Sequence, residues 1–134
     1  MHIHHINFVV EDLDEAIGRF ERILGKPVDR RDSLPGRGAL TAGFKLGRAW
    51  FVLVQPIDPE GVPGRHLAEH GEGFFLCSFG VDDLDQTSSR LRQAGVGLAG
   101  PPRQGLDNWR VQDLDPEYSL GEQFQITEEV ENGD

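Results

Sequence analysis

Histidine and cysteine have the widest chemistry in this chain, and it holds five of the first and one of the second. His2, His4 and His5 crowd the opening segment MHIHHINFVV, while His66 and His70 stand in a central stretch. Near neutrality a histidine exchanges a proton or lends a ring nitrogen to a metal. The lone Cys77 excludes a disulfide framework within the chain and any zinc knuckle. Between Leu76 and Ser78, with no base beside it, Cys77 reads as a small buried hydrophobe. His2, His4, His66 and His70 read as surface or linker residues. The carboxylates of the two Asp-Leu-Asp runs, Asp12 to Asp14 and Asp83 to Asp85, read as helix caps rather than catalysts. The 17 glycines follow turns and helix ends and lack the spacing of a phosphate-binding loop.

Thirteen basic residues against 23 acidic ones leave a net charge of −10 in 134 residues. That balance argues against a nucleic-acid backbone as partner and favours cationic ligands. Eleven of the basic residues are arginine. Arg30, Arg31, Arg37, Arg65 and Arg103 are expected in loops as solvated charge, although arginine also suits a planar anion such as a carboxylate, a phosphate or a coenzyme A thioester. The N-terminus has no signal-peptide core, and no apolar run approaches the roughly 18 residues of a membrane span. The expected setting is the cytoplasm, with no membrane or nucleic-acid partner.

The elements that must position these side chains follow from periodicity. Ile3 to Val10 alternates, with Ile6, Phe8 and Val10 on one face and His5, Asn7 and Val9 on the other, as a strand does. Asp12 with Glu15 three residues on forms a capping pair. Leu13, Ala16, Ile17, Phe20, Ile23 and Leu24 continue at helical spacing until Gly25 and Pro27. The pattern then recurs: Val81-Asp82-Asp83-Leu84-Asp85 repeats Val10-Glu11-Asp12-Leu13-Asp14, from position 10 to position 81, and the second helix ends at Gly95. Two similar halves are expected. Further strands are expected at 39–45, 49–54, 97–99, 109–114 and 122–127. A short helical piece is expected at 65–70, and a fraying acidic tail from Glu128.

The reading is therefore one α+β domain of two βαβββ modules, forming a cupped, barrel-like mixed sheet backed by helices. Module one spans 1–56, a linker 57–73, module two 74–128, and the tail 129–134. With strict alternation the concave face presents His5, Asn7, Trp50, Val52, Phe74, Leu76, Ser78, Gln123 and Gln125, an apolar cup with a few polar groups, as small-molecule sites have. The facing of Trp109 stays open, because 108–114 does not alternate cleanly.

The segments HHINFVVEDLDEAIGRFERILG, HLAEHGEG, FGVDDLDQTSSRLRQAGV and DLDPEYSLGEQFQI resemble the vicinal oxygen chelate superfamily of glyoxalases, methylmalonyl-CoA epimerases, extradiol dioxygenases and bleomycin-resistance proteins. The likeness runs from about Met1 to Thr127. Within the superfamily, HLAEHGEG and its distance from VDDLD look most like methylmalonyl-CoA epimerase.

The resemblance implies a metal held by four strand residues, which fall here on His5, Val52, Leu76 and Gln125. Val52 and Leu76 carry no donor atom and Gln125 is neutral, so the metal site reads as degenerate and no cofactor is expected. The epimerase acid/base pair falls on Gln125 and the stretch Leu40-Thr41-Ala42, where nothing titrates. The resemblance further implies a homodimer. The expectation is a glyoxalase- or bleomycin-resistance-like protein that binds a small organic ligand without metal. The alternative is a divergent lyase or isomerase acting on a thioester or related metabolite, with His5 as its base.

Overall fold

The computed structural model describes residues 1–130. In chain order the elements are β1 (His2–Val9), α1 (Leu13–Leu24), β2 (Arg30–Leu34), a 3₁₀ turn (Pro35–Arg37), β3 (Ala39–Leu46), β4 (Ala49–Pro56), α2 (Val62–His70), β5 (Gly73–Gly80), α3 (Leu84–Gln93), β6 (Leu98–Gln104), β7 (Trp109–Leu114) and β8 (Gln123–Glu129). The fold is α+β with a mixed strand pairing: β5 runs parallel to β8, whereas β2 with β3, β3 with β4, β6 with β7 and β7 with β8 are antiparallel.

The repeat has a local physical basis. Asp12 and Asp83 both hold extended backbone, and the Oδ1 of each accepts a first-turn amide, from Glu15 N at 3.1 Å and from Gln86 N at 2.9 Å. Each thereby satisfies a donor that the helix start leaves orphaned. α1 ends at Gly25, whose φ of 68° is a left-handed cap that glycine adopts without a Cβ clash.

The described chain packs as two compact units, residues 6–75 and residues 1–5 with 76–130, so β1 and β5 contribute to both. In the unit of 6–75 the strand order is β2-β3-β4-β1. Its core forms between α1 and the sheet, from Val10, Leu13, Ala16, Ile17, Ala42, Phe44 and Leu53, with Phe8, Phe20 and Phe51 packed against them. This is the alternation read from the sequence: Phe8 and Val10 serve the helix side. In the other unit the order is β5-β8-β7-β6, and α3 packs against β7 and β8.

Three elements differ from the sequence reading. Arg30 and Arg31 lie in strand β2, not in a loop; the polar run RRDSL pairs with β3 in the register Arg30 with Gly43 to Leu34 with Ala39. β6 runs on to Gln104 through Pro101 and Pro102, so Arg103 is also a strand residue. Prolines cannot donate to a ladder, and they fit here because β6 is the last strand of its order and its register shifts between Ala99 and Arg103. Glu128 and Glu129, read as the start of a tail, belong to β8. Residues 131–134 of that tail lie outside the described residues. Among the described residues no helix is long and apolar enough to cross a membrane.

Candidate functional site

In the unit containing 76 onward, strand register decides which side chains share a face. Leu76 lies beside Gln123, Ser78 beside Gln125 and Gly80 beside Thr127, while β7 places Asp113 beside Gln125 and Trp109 beside Glu129. Partners in register project to the same side, so Leu76, Ser78, Gln123, Gln125, Thr127, Asp113 and Trp109 form one face. Cys77, one residue out of phase, belongs to the other; it is buried, and desolvation raises its thiol pKa. Four predicted residues of this unit, Leu76, Ser78, Gln123 and Gln125, are thus on one face.

That face is unusually polar for its burial. Ser78 is 0% exposed, Thr127 1%, Gln125 2% and His5 3%. The Ser78 and Thr127 hydroxyls meet at 2.5 Å. Gln125 Nε2 donates to Asp113 Oδ1 at 3.1 Å, and Arg103 grips the same carboxylate with Nε on Oδ2 at 2.8 Å and Nη2 on Oδ1 at 3.0 Å. Both oxygens of Asp113 are therefore engaged by donors.

His5 lies flat on Trp109, and His4 meets the same indole edge-on with centroids 4.6 Å apart. The two imidazoles touch through their Nδ1 atoms at 2.8 Å, and His4 Nε2 is 2.7 Å from Glu129 Oε1. One proton bridges the Nδ1 pair, because a nitrogen contact this short needs one donor and one acceptor. Burial holds His5 far below its ordinary pKa, at about 3; the electrostatic influence of His4 and, more weakly, of Arg103 adds to the depression, against a hydrogen bond to Gln125. His5 stays neutral near pH 7. It presents a hydrogen-bonding ring and is a poor proton acceptor, since an efficient base titrates near the working pH.

Several side chains lie elsewhere than local sequence implies. His4, expected at the surface, is 2% exposed and wedged between His5, Trp109 and Glu129. Trp109, whose facing was open, is buried against His5. Arg30, Arg31 and Arg103 are not free loop charge: they pair with Asp32, Asp14 and Asp113. His66 is engaged with the Phe74 carbonyl at 3.0 Å. His4, Trp109, Asp113 and Glu129 belong to this constellation although local sequence does not single them out. Because 108–114 does not alternate cleanly, it is the register of β7 with β8 that places Trp109 and Asp113 on this face.

In the unit of 6–75, register places Thr41 beside Val54, Gly43 beside Val52 and Lys45 beside Trp50. Trp50 is half-buried, with Lys45 Nζ 5.0 Å and the Arg30 guanidinium 6.0 Å from its ring centroid. Gly43 permits the close approach of the indole, since a Cβ there would sit 3.0 Å from Trp50 Cε3. Val52 is 1% exposed. Asn7 Oδ1 is buried without a hydrogen-bond partner among the described residues. The ring of Phe74 meets Phe8 edge-on at 6.1 Å. Among the described residues no three His, Cys, Asp or Glu side chains gather as a metal-binding group.

Residues 4–112 match the family described as the glyoxalase/bleomycin resistance protein/dioxygenase superfamily. Among solved structures, methylmalonyl-CoA epimerase from Mycobacterium tuberculosis is similar with a TM-score of 0.92 and 27% identity, over 97% of this chain and 89% of that one. A variant of the Streptomyces coelicolor methylmalonyl-CoA epimerase in complex with 2-nitronate-propionyl-CoA gives 0.91 and 25%, over 98% and 99%. A hypothetical protein from Bacillus halodurans C-125 gives 0.91 over 98% and 96%, at 20% identity, a likeness of fold alone.

Proposed function

The chain belongs to the glyoxalase/bleomycin resistance protein/dioxygenase superfamily, and from that premise we propose that it binds a small organic ligand without a divalent metal. One observation carries this reading: buried polar side chains Ser78, Gln125 and Thr127, set in register on one sheet face beside apolar Leu76, with buried His5 hydrogen-bonded to Gln125. Burying polar groups is costly unless they are paired or used, and a face needed only for stability is cheaper to build from apolar side chains. Ligand sites are apolar surfaces with a few placed polar groups.

The donor set does not fit a metal. Of the four positions that the family resemblance marks, Val52 and Leu76 have no donor atom. Gln125 turns its amide nitrogen to Asp113, and His5 commits Nδ1 to His4. Two neutral donors leave a dication uncompensated. His5, with Nδ1 on His4 and a further hydrogen bond to Gln125, accordingly holds the polar face in place rather than abstracting a proton. The working form is proposed to be a cytoplasmic homodimer.

A second reading, a divergent lyase or isomerase on a thioester, is favoured by the likeness to methylmalonyl-CoA epimerases, one of them holding 2-nitronate-propionyl-CoA. A coenzyme A thioester is then the ligand class. The test is elemental analysis after incubation with cobalt, nickel, manganese and zinc at controlled pH, paired with a tryptophan-fluorescence titration by propionyl-CoA in chelator. Substoichiometric metal with saturable, chelator-insensitive quenching is expected. Stoichiometric metal would overturn the metal-free reading, and no saturation would overturn the thioester. Deuterium uptake at the carbon between the two carbonyls of methylmalonyl-CoA separates the isomerase from the binder.

A further inference from the structure

A cleft of about 490 Å³ opens where β1 hands over to α1, wholly within residues 6–75. Its floor is apolar, made by Phe8, Val10, Phe20 and Leu53. Phe8 and Phe20 are only half-buried although both pack on Phe51, with centroids 5.3 and 4.7 Å away, so part of each ring remains exposed. A cleft of this size is in the range that holds a small organic molecule.

The rim has one sign of charge. Glu11, Asp12, Glu15 and Glu72 line it, all exposed, against the single guanidinium of Arg19, which is tied to Glu15 at 2.6 Å. A helix start ordinarily favours anions, but here two of its first-turn amides, and the Glu11 amide before it, already have carboxylate or amide acceptors. Glu11 N gives to Glu72 Oε2 at 2.9 Å, Leu13 N to Gln55 Oε1 at 2.7 Å and Glu15 N to Asp12 Oδ1 at 3.1 Å. What remains is a carboxylate rim over aromatic rings, the pair of features that recognises an organic ammonium ion by charge and by cation–π attraction. The net charge of −10 concentrates such cations at the surface.

We propose that this cleft is a binding site for an organic ammonium ion carrying an apolar, aromatic-sized body. The site lies on the helix side of the unit and does not depend on the function proposed above.

The probe is phenethylammonium, followed by amide NMR on the intact protein, with 2-phenylethanol and phenylacetate as neutral and anionic analogues of similar body. Saturable shifts are expected at Phe8, Val10 to Glu15, Glu72 and Gly73. Binding is expected to weaken in high salt, to fall about tenfold in the Glu11→Gln/Glu72→Gln double variant, and to be weaker still for phenylacetate. Glutamine keeps an oxygen for the Glu11 amide, and the salt and analogue series on the unaltered protein stand independently of the variant. The proposal is overturned by no saturable shift at millimolar probe, by 2-phenylethanol binding as well as the cation, by an unaffected double variant, or by shifts confined to His5, Ser78 and Gln125.

Discussion

The imidazole of His5 lies on the indole of Trp109 with ring centroids 4.7 Å apart and planes 14° from parallel, and both side chains are less than 5% exposed, at 3% and 4%. The stack closes one face of His5 to water. Desolvation, the main cause of its low pKa, is therefore partly the work of Trp109.

Replacing Trp109 by alanine opens a cavity beside two histidines, and a loss of about 3–5 kcal/mol in unfolding free energy is expected. The His5 pKa should rise from about 3 toward 6.5 as water enters. Urea denaturation and an NMR titration of the imidazole protons check both, and Trp109→Phe, which keeps a ring on His5, should lose less of each. A Trp109→Ala protein of full stability would show that the stack holds nothing.

Acid should weaken the fold through His5. Its native pKa of about 3 lies below the unfolded value of 6.5, so between these two values the unfolded chain binds the extra proton and stability falls as pH falls. The limiting slope is about 1.4 kcal/mol per pH unit. His4, Glu129, Gln125 and Arg103 face the ring, and the carboxylates elsewhere add their own slopes. The measurement is thus the stability difference between the unaltered protein and His5→Gln at about pH 7.5 and about pH 5, where the variant should gain ground at the lower value. A pH-independent difference would contradict a neutral buried His5.

Ser78 and Thr127 share one buried hydrogen bond of 2.5 Å. Ser78→Ala strands the Thr127 hydroxyl and should cost about 1–3 kcal/mol. Adding Thr127→Val removes the orphan and should recover part of that, giving a coupling of at least about 0.5 kcal/mol in a double-mutant cycle. Simple additivity of the two losses would mean the hydroxyls do not depend on each other.

Asp12 and Asp83 have the same cap geometry, φ and ψ of −132° and 106° against −139° and 109°. Alanine at either should cost about 1 kcal/mol and asparagine far less. Thermal denaturation of the four single variants checks this; a large cost at one cap and none at the other would break the equivalence of the two halves.

Features that depend on near neighbours in the chain were legible from the amino-acid order. The caps at Asp12 and Asp83, the glycine stop at Gly25, the recurrence from position 10 to position 81, and the placing of Phe8 and Val10 toward α1 all rest on interactions within a few residues or on strict alternation. The row of Leu76, Ser78, Gln123 and Gln125 was legible for the same reason, since period 2 alone assigns a face.

Tertiary structure decided the rest. RRDSL and the GPPRQ extension of β6 do not read as strands, because neither alternates and one contains two prolines; they become strand only by pairing with β3 and β7. His4 and His5 are adjacent, so alternation sends them to opposite faces, yet their Nδ1 atoms meet at 2.8 Å. Trp109, held in register with Glu129, supplies the surface against which both rings pack, and Glu129 supplies the carboxylate that His4 reaches. Those partners lie more than a hundred residues along the chain. No local pattern encodes a contact at that separation, and the neutral state of His5 exists only once the packing has excluded water.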